Sequence, residues 1–161
     1  MKAIITGSFD PITLGHVELV KKASSFFETL YVVALLNEKK KYIFSLNEKK
    51  EIMKLSLSDF ENVIIDAYDG LTADYMHNHG ITKIVRGVRG DADREYEERL
   101  AEAMKSYDEN FETIIIESDD EYSHISSTYV RECLENSKSL DGIVHEKAKN
   151  KILEIFNSKI K

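Results

Sequence analysis

The chain has 161 residues, of which 42% are hydrophobic and 32% charged, the make-up of a globular domain long enough for one substantial core. Its formal charge is −7, the wrong sign for gripping DNA or RNA phosphates, so nucleic acid is not an expected partner. Small anionic ligands stay open, because a few local cations outweigh the global sign. In chain order, apolar β-rich runs predict strands at residues 3–6, 30–36, 63–66, 83–85 and 113–116. Between them lie helical patterns. The first, 17–27, carries an apolar stripe that includes Val17, Val20, Ala23 and Phe26/Phe27. Ser45 with Glu48 forms a capping-box signature that opens a helix to about residue 57. A short helix at 71–79 stops at Gly80, a left-handed cap. A charged helix covers 92–108, Ser126 caps another to 135, and a last helix runs from His145 to the end.

Strands that alternate with helices predict an α/β fold: a doubly wound, Rossmann-like parallel sheet of five strands with helices on both faces. Residues 1–161 read as one domain. The single cysteine, Cys133, rules out an intrachain disulfide, and a buried apolar role in a cytoplasmic protein is expected. The strand pattern starts at once, leaving no room for a signal peptide, and no apolar run approaches the ~18 residues of a membrane span.

Ligands of such sheets sit beyond the carboxyl ends of the strands. After the first strand comes Gly7-Ser8-Phe9-Asp10-Pro11-Ile12-Thr13-Leu14-Gly15-His16, a glycine-containing turn that feeds a helix. Gly7 and Gly15 permit close backbone approach to phosphate, and His16 supplies a donor for charge that grows during reaction. After the fourth strand, Arg86 and Arg89 flank Gly87 and Val88 in a turn where two guanidinium forks can converge on an anion. After the fifth, Tyr122, Ser123, His124, Ile125, Ser126, Ser127 and Thr128 open a helix with hydroxyls and unpaired N–H groups. Lys39, Lys40 and Lys41 follow the second strand, and one of them can reach over the site. Glu97 lies near the arginine turn. His77 and His79 are two apart on a helix and face different ways, so no metal set is expected there. Asp119, Asp120 and Glu121 read as an exposed acidic loop rather than a Mg²⁺ site.

These motifs, with Phe44-Ser45-Leu46, Gly70-Leu71-Thr72 and Glu95-Tyr96-Glu97, resemble the phosphopantetheine adenylyltransferases over essentially the whole chain. The opening motif alone marks a wider nucleotidylyltransferase superfamily. The resemblance implies transfer of the adenylyl group of ATP to 4′-phosphopantetheine, giving dephospho-coenzyme A and pyrophosphate, with Mg²⁺ held mainly through the ATP phosphates. It implies that His16 stabilises the transition state, with Lys40 and Arg89 as further catalytic cations. Ser8, Phe9, His16, Gly87, Val88, Arg89, Glu97 and residues Tyr122 to Thr128 would hold ATP. Ser8, Lys40, Thr72 and Arg86 would hold phosphopantetheine. It also implies a cytoplasmic homohexamer. Thr6 and Arg94 depart from the family, which commonly has a proline and an aromatic residue there, and the 101–105 stretch lacks the usual asparagine pattern. No activated nucleophile is evident, so direct in-line transfer without a covalent enzyme intermediate is expected. Two other readings stay open: the same chemistry on nicotinamide mononucleotide, and a non-catalytic nucleotide sensor.

Overall fold

Alternation of apolar side chains between the two faces of the strands sets the architecture. A computed structural model describes residues 1–37 and 39–160; Glu38, in the loop after the second strand, and Lys161, at the end of the last expected helix, lie outside the described residues. Five parallel strands, β1 (Lys2–Gly7), β2 (Thr29–Leu35), β3 (Val63–Tyr68), β4 (Lys83–Val88) and β5 (Glu112–Glu117), form one sheet in the order β3-β2-β1-β4-β5. Ala3, Ile5, Leu30, Val32 and Val85 point to one face. There they pack against α1 (Leu14–Ser24), α2 (Leu46–Ser56), α5 (Ser127–Glu135) and α6 (Glu146–Lys159). Ile4, Val33 and Ile84 point to the other, covered by α3 (Thr72–His79) and α4 (Asp91–Tyr107) with Phe111. Both faces are therefore buried, and the expected doubly wound fold is the one observed. Cys133 is buried within the first face, as expected. Among the described residues, no helix is long and apolar enough to cross a membrane.

Three local expectations need correction. The first helix starts at Leu14, three residues early, because Thr13 caps it, and it ends at Ser24. Phe27 stays in the core, whereas Phe26 lies beyond the helix and is 72% exposed. The fourth strand runs to Val88, so Arg86, Gly87 and Val88 are strand residues paired with Ile115, Ile116 and Glu117, and only Arg89 and Gly90 make the turn. Gly87 is small because Leu19 of α1 packs there: a Cβ would lie 3.1 Å from a Leu19 methyl. The acidic loop holds a single 3-10 turn, Asp120–Tyr122.

The cap of α3 is as the sequence predicts, with Gly80 left-handed at φ 66° and its N–H bonded to the carbonyls of His77 and Met76. A Cβ at Gly80 would meet nothing within 4 Å, so replacing it isolates the backbone term. Gly80→Ala is expected to lower unfolding free energy by about 1 kcal/mol, read as a lower urea midpoint at unchanged slope.

Candidate active site

Strand order reverses between β1 and β4, and these two strands share only the register pairs Ala3↔Lys83 and Ile4↔Ile84. Beyond those pairs Ile5, Thr6 and Gly7 on one side and Val85, Arg86 and Gly87 on the other line a cavity of about 420 Å³. A crevice at the switch point, outside the strand ends, is where open α/β sheets bind ligands.

His16 stands in this cavity because it completes the cap of α1. Its backbone N–H donates to the Thr13 hydroxyl at 3.4 Å, and its ring Nδ1 accepts the Thr13 backbone N–H at 3.0 Å. The imidazole thus fills the reciprocal role that a glutamate plays in an ordinary capping box. Accepting at Nδ1 leaves the proton of the neutral ring on Nε2. The edge of buried Phe9 packs on the imidazole, with centroids 5.0 Å apart. Phe9 holds a left-handed φ of 45°, and its ring occupies space that a side chain at Gly7 would invade. Loss of solvent around His16, and secondarily the charge of Arg89, holds its pKa down to about 4, so the ring is neutral near pH 7.

Both arginines line the same cavity, and each faces a carboxylate of α4. Arg86 makes a two-pronged pair with Glu97, Nε to Oε2 at 2.8 Å and Nη2 to Oε1 at 3.1 Å. Its Nη1 reaches across the strand gap to the carbonyl and hydroxyl of Thr6, at 3.4 and 3.3 Å. The Thr6 hydroxyl therefore gives Arg86 a side-chain acceptor across the gap. Arg89 lies 3.7 Å from Asp93, whose carboxylate also accepts the Arg89 backbone N–H, and donates through Nη1 to the Ser123 carbonyl. Asp93 and Glu97 are four residues apart, one turn along α4, which is why both reach the pocket.

Of the residues singled out from sequence, Gly7, Phe9, Gly15, His16, Arg86, Gly87, Arg89, Glu97, Tyr122, Ile125, Ser126 and Ser127 line the cavity. Ser126 caps α5 by accepting the Tyr129 N–H, and the Ser127 hydroxyl donates to the Pro11 carbonyl at 2.7 Å, joining the two helix-opening segments. The others lie off its wall. Ser8 is half-buried in the turn beside it, and Val88 is buried behind it. Ser123 and His124 are exposed, and the exposed Thr128 hydroxyl accepts from Arg131. Thr72 opens α3 at the end of β3, and Lys40 lies with Lys39 and Lys41 on an exposed turn. Asp93 and Ser118 are wall residues that sequence reasoning passed over, and Tyr96, noted only as part of a motif, joins them on the wall. The i,i+4 spacing of Asp93 and Glu97 opposite two arginines was the available signal for the first.

Among the described residues, no three His, Cys, Asp or Glu side chains gather as a metal set. His77 Nε2 is 2.7 Å from an Asp108 carboxylate oxygen, His79 Nδ1 contacts the Tyr75 carbonyl, and Asp119 pairs with Lys22 at 2.7 Å.

Comparison with known proteins agrees with this geometry. The cytidylyltransferase-like family model matches residues 4–133. The chain is 35% identical over 155 residues to the phosphopantetheine adenylyltransferase of Shouchella clausii, covering 96% of this chain and 98% of that one. It is 39% identical over 156 residues to that of Petrotoga mobilis, covering 94% and 96%. A solved structure of a Vibrio parahaemolyticus protein assigned to nicotinate-nucleotide adenylyltransferase superposes with a TM-score of 0.68 over 94% of this chain and 97% of its own. At 14% identity that likeness speaks to the fold alone. The matching family model, the near-complete overlap with these relatives and the histidine–arginine cavity at the β1/β4 switch point place the chain in the phosphopantetheine adenylyltransferase family of nucleotidyltransferases.

Proposed function

We propose that the protein joins ATP and 4′-phosphopantetheine to give dephospho-coenzyme A and pyrophosphate. The observation that carries this reading is the convergence of His16, Arg86 and Arg89 on one cavity at the switch point of the sheet. A phosphate oxygen of phosphopantetheine attacks the α-phosphorus of ATP; a P–O bond forms as the bond to the β-phosphate oxygen breaks. The nucleophile is already an anion, so no protein base is needed. What the protein supplies is position and charge stabilisation. Neutral His16 presents Nε2–H to an α-phosphate oxygen whose charge grows in the transition state, while Nδ1 stays fixed on Thr13. Arg86 and Arg89 hold phosphoryl oxygens, the start of α5 meets the nucleotide, and Lys40 closes on the phosphates from the neighbouring turn.

Asp93 and Glu97, the carboxylates in the cavity, are already engaged by arginines, which suits a Mg²⁺ held on triphosphate oxygens rather than by a protein cage. When bound there, the ion neutralises charge on the departing pyrophosphate. By the same family resemblance the protein works as a cytoplasmic homohexamer.

Pyrophosphate release is expected from ATP with 4′-phosphopantetheine and not from ATP with nicotinamide mononucleotide; the reverse pattern overturns the acceptor. His16→Ala should fold and bind ATP yet lose about 10²–10³-fold in turnover. Near-normal turnover would remove His16 from the chemistry.

Protonation offers an independent check. The folded value of about 4 lies below the ~6.5 of an exposed histidine, so the unfolded chain binds the extra proton first as pH falls. Stability supplied by the neutral ring is therefore complete above about pH 6.5 and is lost on descending toward pH 4. In a ¹⁵N imidazole titration of the free enzyme, His16 should keep Nε2 protonated and Nδ1 bare from pH 8 to pH 5.5. A midpoint near 6.5 would contradict the assignment.

A further inference from the structure

Lys49 lies in the first turns of α2 and is 1% exposed. Its Nζ is the one buried side-chain nitrogen or oxygen that finds no hydrogen-bond partner among the described residues. It rests instead on the face of Tyr42, 3.5 Å from the ring centroid. A buried ammonium without an acceptor is costly, and a cation–π contact returns only part of that cost. Ile52 and Met53 are buried on the same helix, and an unbranched apolar side chain would fill the Lys49 volume with no charge to bury.

What Lys49 touches is the organiser of the lysine turn. The Tyr42 hydroxyl accepts the Asn37 backbone N–H at 3.0 Å. The Asn37 carbonyl and side-chain oxygen in turn accept the N–H groups of Lys40 and Lys39, at 2.9 and 3.0 Å. Immediately after Tyr42, the N–H groups of Ile43 and Phe44 donate to the two carboxylate oxygens of Asp10, at 3.0 and 2.9 Å. Asp10 is buried in the opening motif; burial lowers the Lys49 pKa, and the Asp10 charge works against that and favours the ammonium.

We propose that Lys49 is a positioning residue for phosphate capture: its ammonium clamps the Tyr42 ring, which fixes the chord to Asn37 and so directs Lys40 toward the reactants. The proposal rests on the reading of Lys40 as a phosphate-holding cation. It explains why a buried charge is tolerated where an apolar residue would fit. The stability forgone is exchanged for a defined loop beside the cavity.

The test compares Lys49→Met, which keeps volume, with Lys49→Arg, which keeps charge. Lys49→Met is expected to melt at or above the wild-type temperature and to lose about 10-fold or more in kcat/KM for 4′-phosphopantetheine, with KM for ATP within about twofold. Lys49→Arg should recover most of that loss. Three results overturn the proposal: a Met variant within about threefold of wild type, Met and Arg variants equally impaired, or a Met variant melting well below wild type, which would assign the ammonium to the fold. Lys40→Ala separates the two readings. If it keeps normal turnover, the phosphate role of the turn fails and the positioning role with it. If it is impaired while Lys49→Met is not, only the positioning role fails.

Discussion

A reciprocal pair of hydrogen bonds between Thr13 and His16 underlies everything this site can do. Both ends of the bond pair belong to the start of α1, so completing the capping box and orienting the imidazole are one event. One interaction therefore settles three properties: ring orientation, tautomer, and which nitrogen is left for a ligand. Desolvation by the cavity walls settles a fourth, the absence of charge near neutrality. Placement of the imidazole and completion of the α1 cap thus share one set of bonds.

The sheet makes room for this cap by pairing incompletely. β1 and β4 stay together for two register pairs and then part, and the guanidinium of Arg86 bridges the gap to Thr6 where a ladder bond would otherwise run. Asp10 gathers what lies beside the gap. Its carboxylate takes Ile43 and Phe44, and its carbonyl takes Arg131 from α5 at 2.9 Å. The opening turn, the lysine loop and the last cavity-lining helix are consequently tied at one buried residue.

The alternating pattern, the Ser45 and Ser126 caps and the Gly80 stop were legible because each rests on local chemistry carried by adjacent residues. The gathering of His16, Arg86 and Arg89 was legible too, since all three follow or end strands on one edge of a parallel sheet. Less visible was the extent of β4. Its last three residues are strand only because β5 pairs with them and Leu19 packs on Gly87, both contacts distant in sequence. The partners of the arginines were hidden for a similar reason. Glu97 was placed near the arginine turn from sequence, but its two-pronged pairing with Arg86 and its 7% exposure appear only once α4 docks over the cavity, and Asp93 was not singled out at all. Lys49 was invisible altogether, since a lysine inside a charged helix gives no sign of facing inward.

The arginine–carboxylate pairing has a consequence for how tightly reactants are held. The charges of Arg86 and Arg89 are each faced by a carboxylate, Glu97 and Asp93, so any anion drawn to these guanidiniums competes with a resident one. That competition tempers how strongly the pair can attract a further anion while keeping the guanidiniums in place. Cations arranged in this way are held ready in position without being left as bare charge.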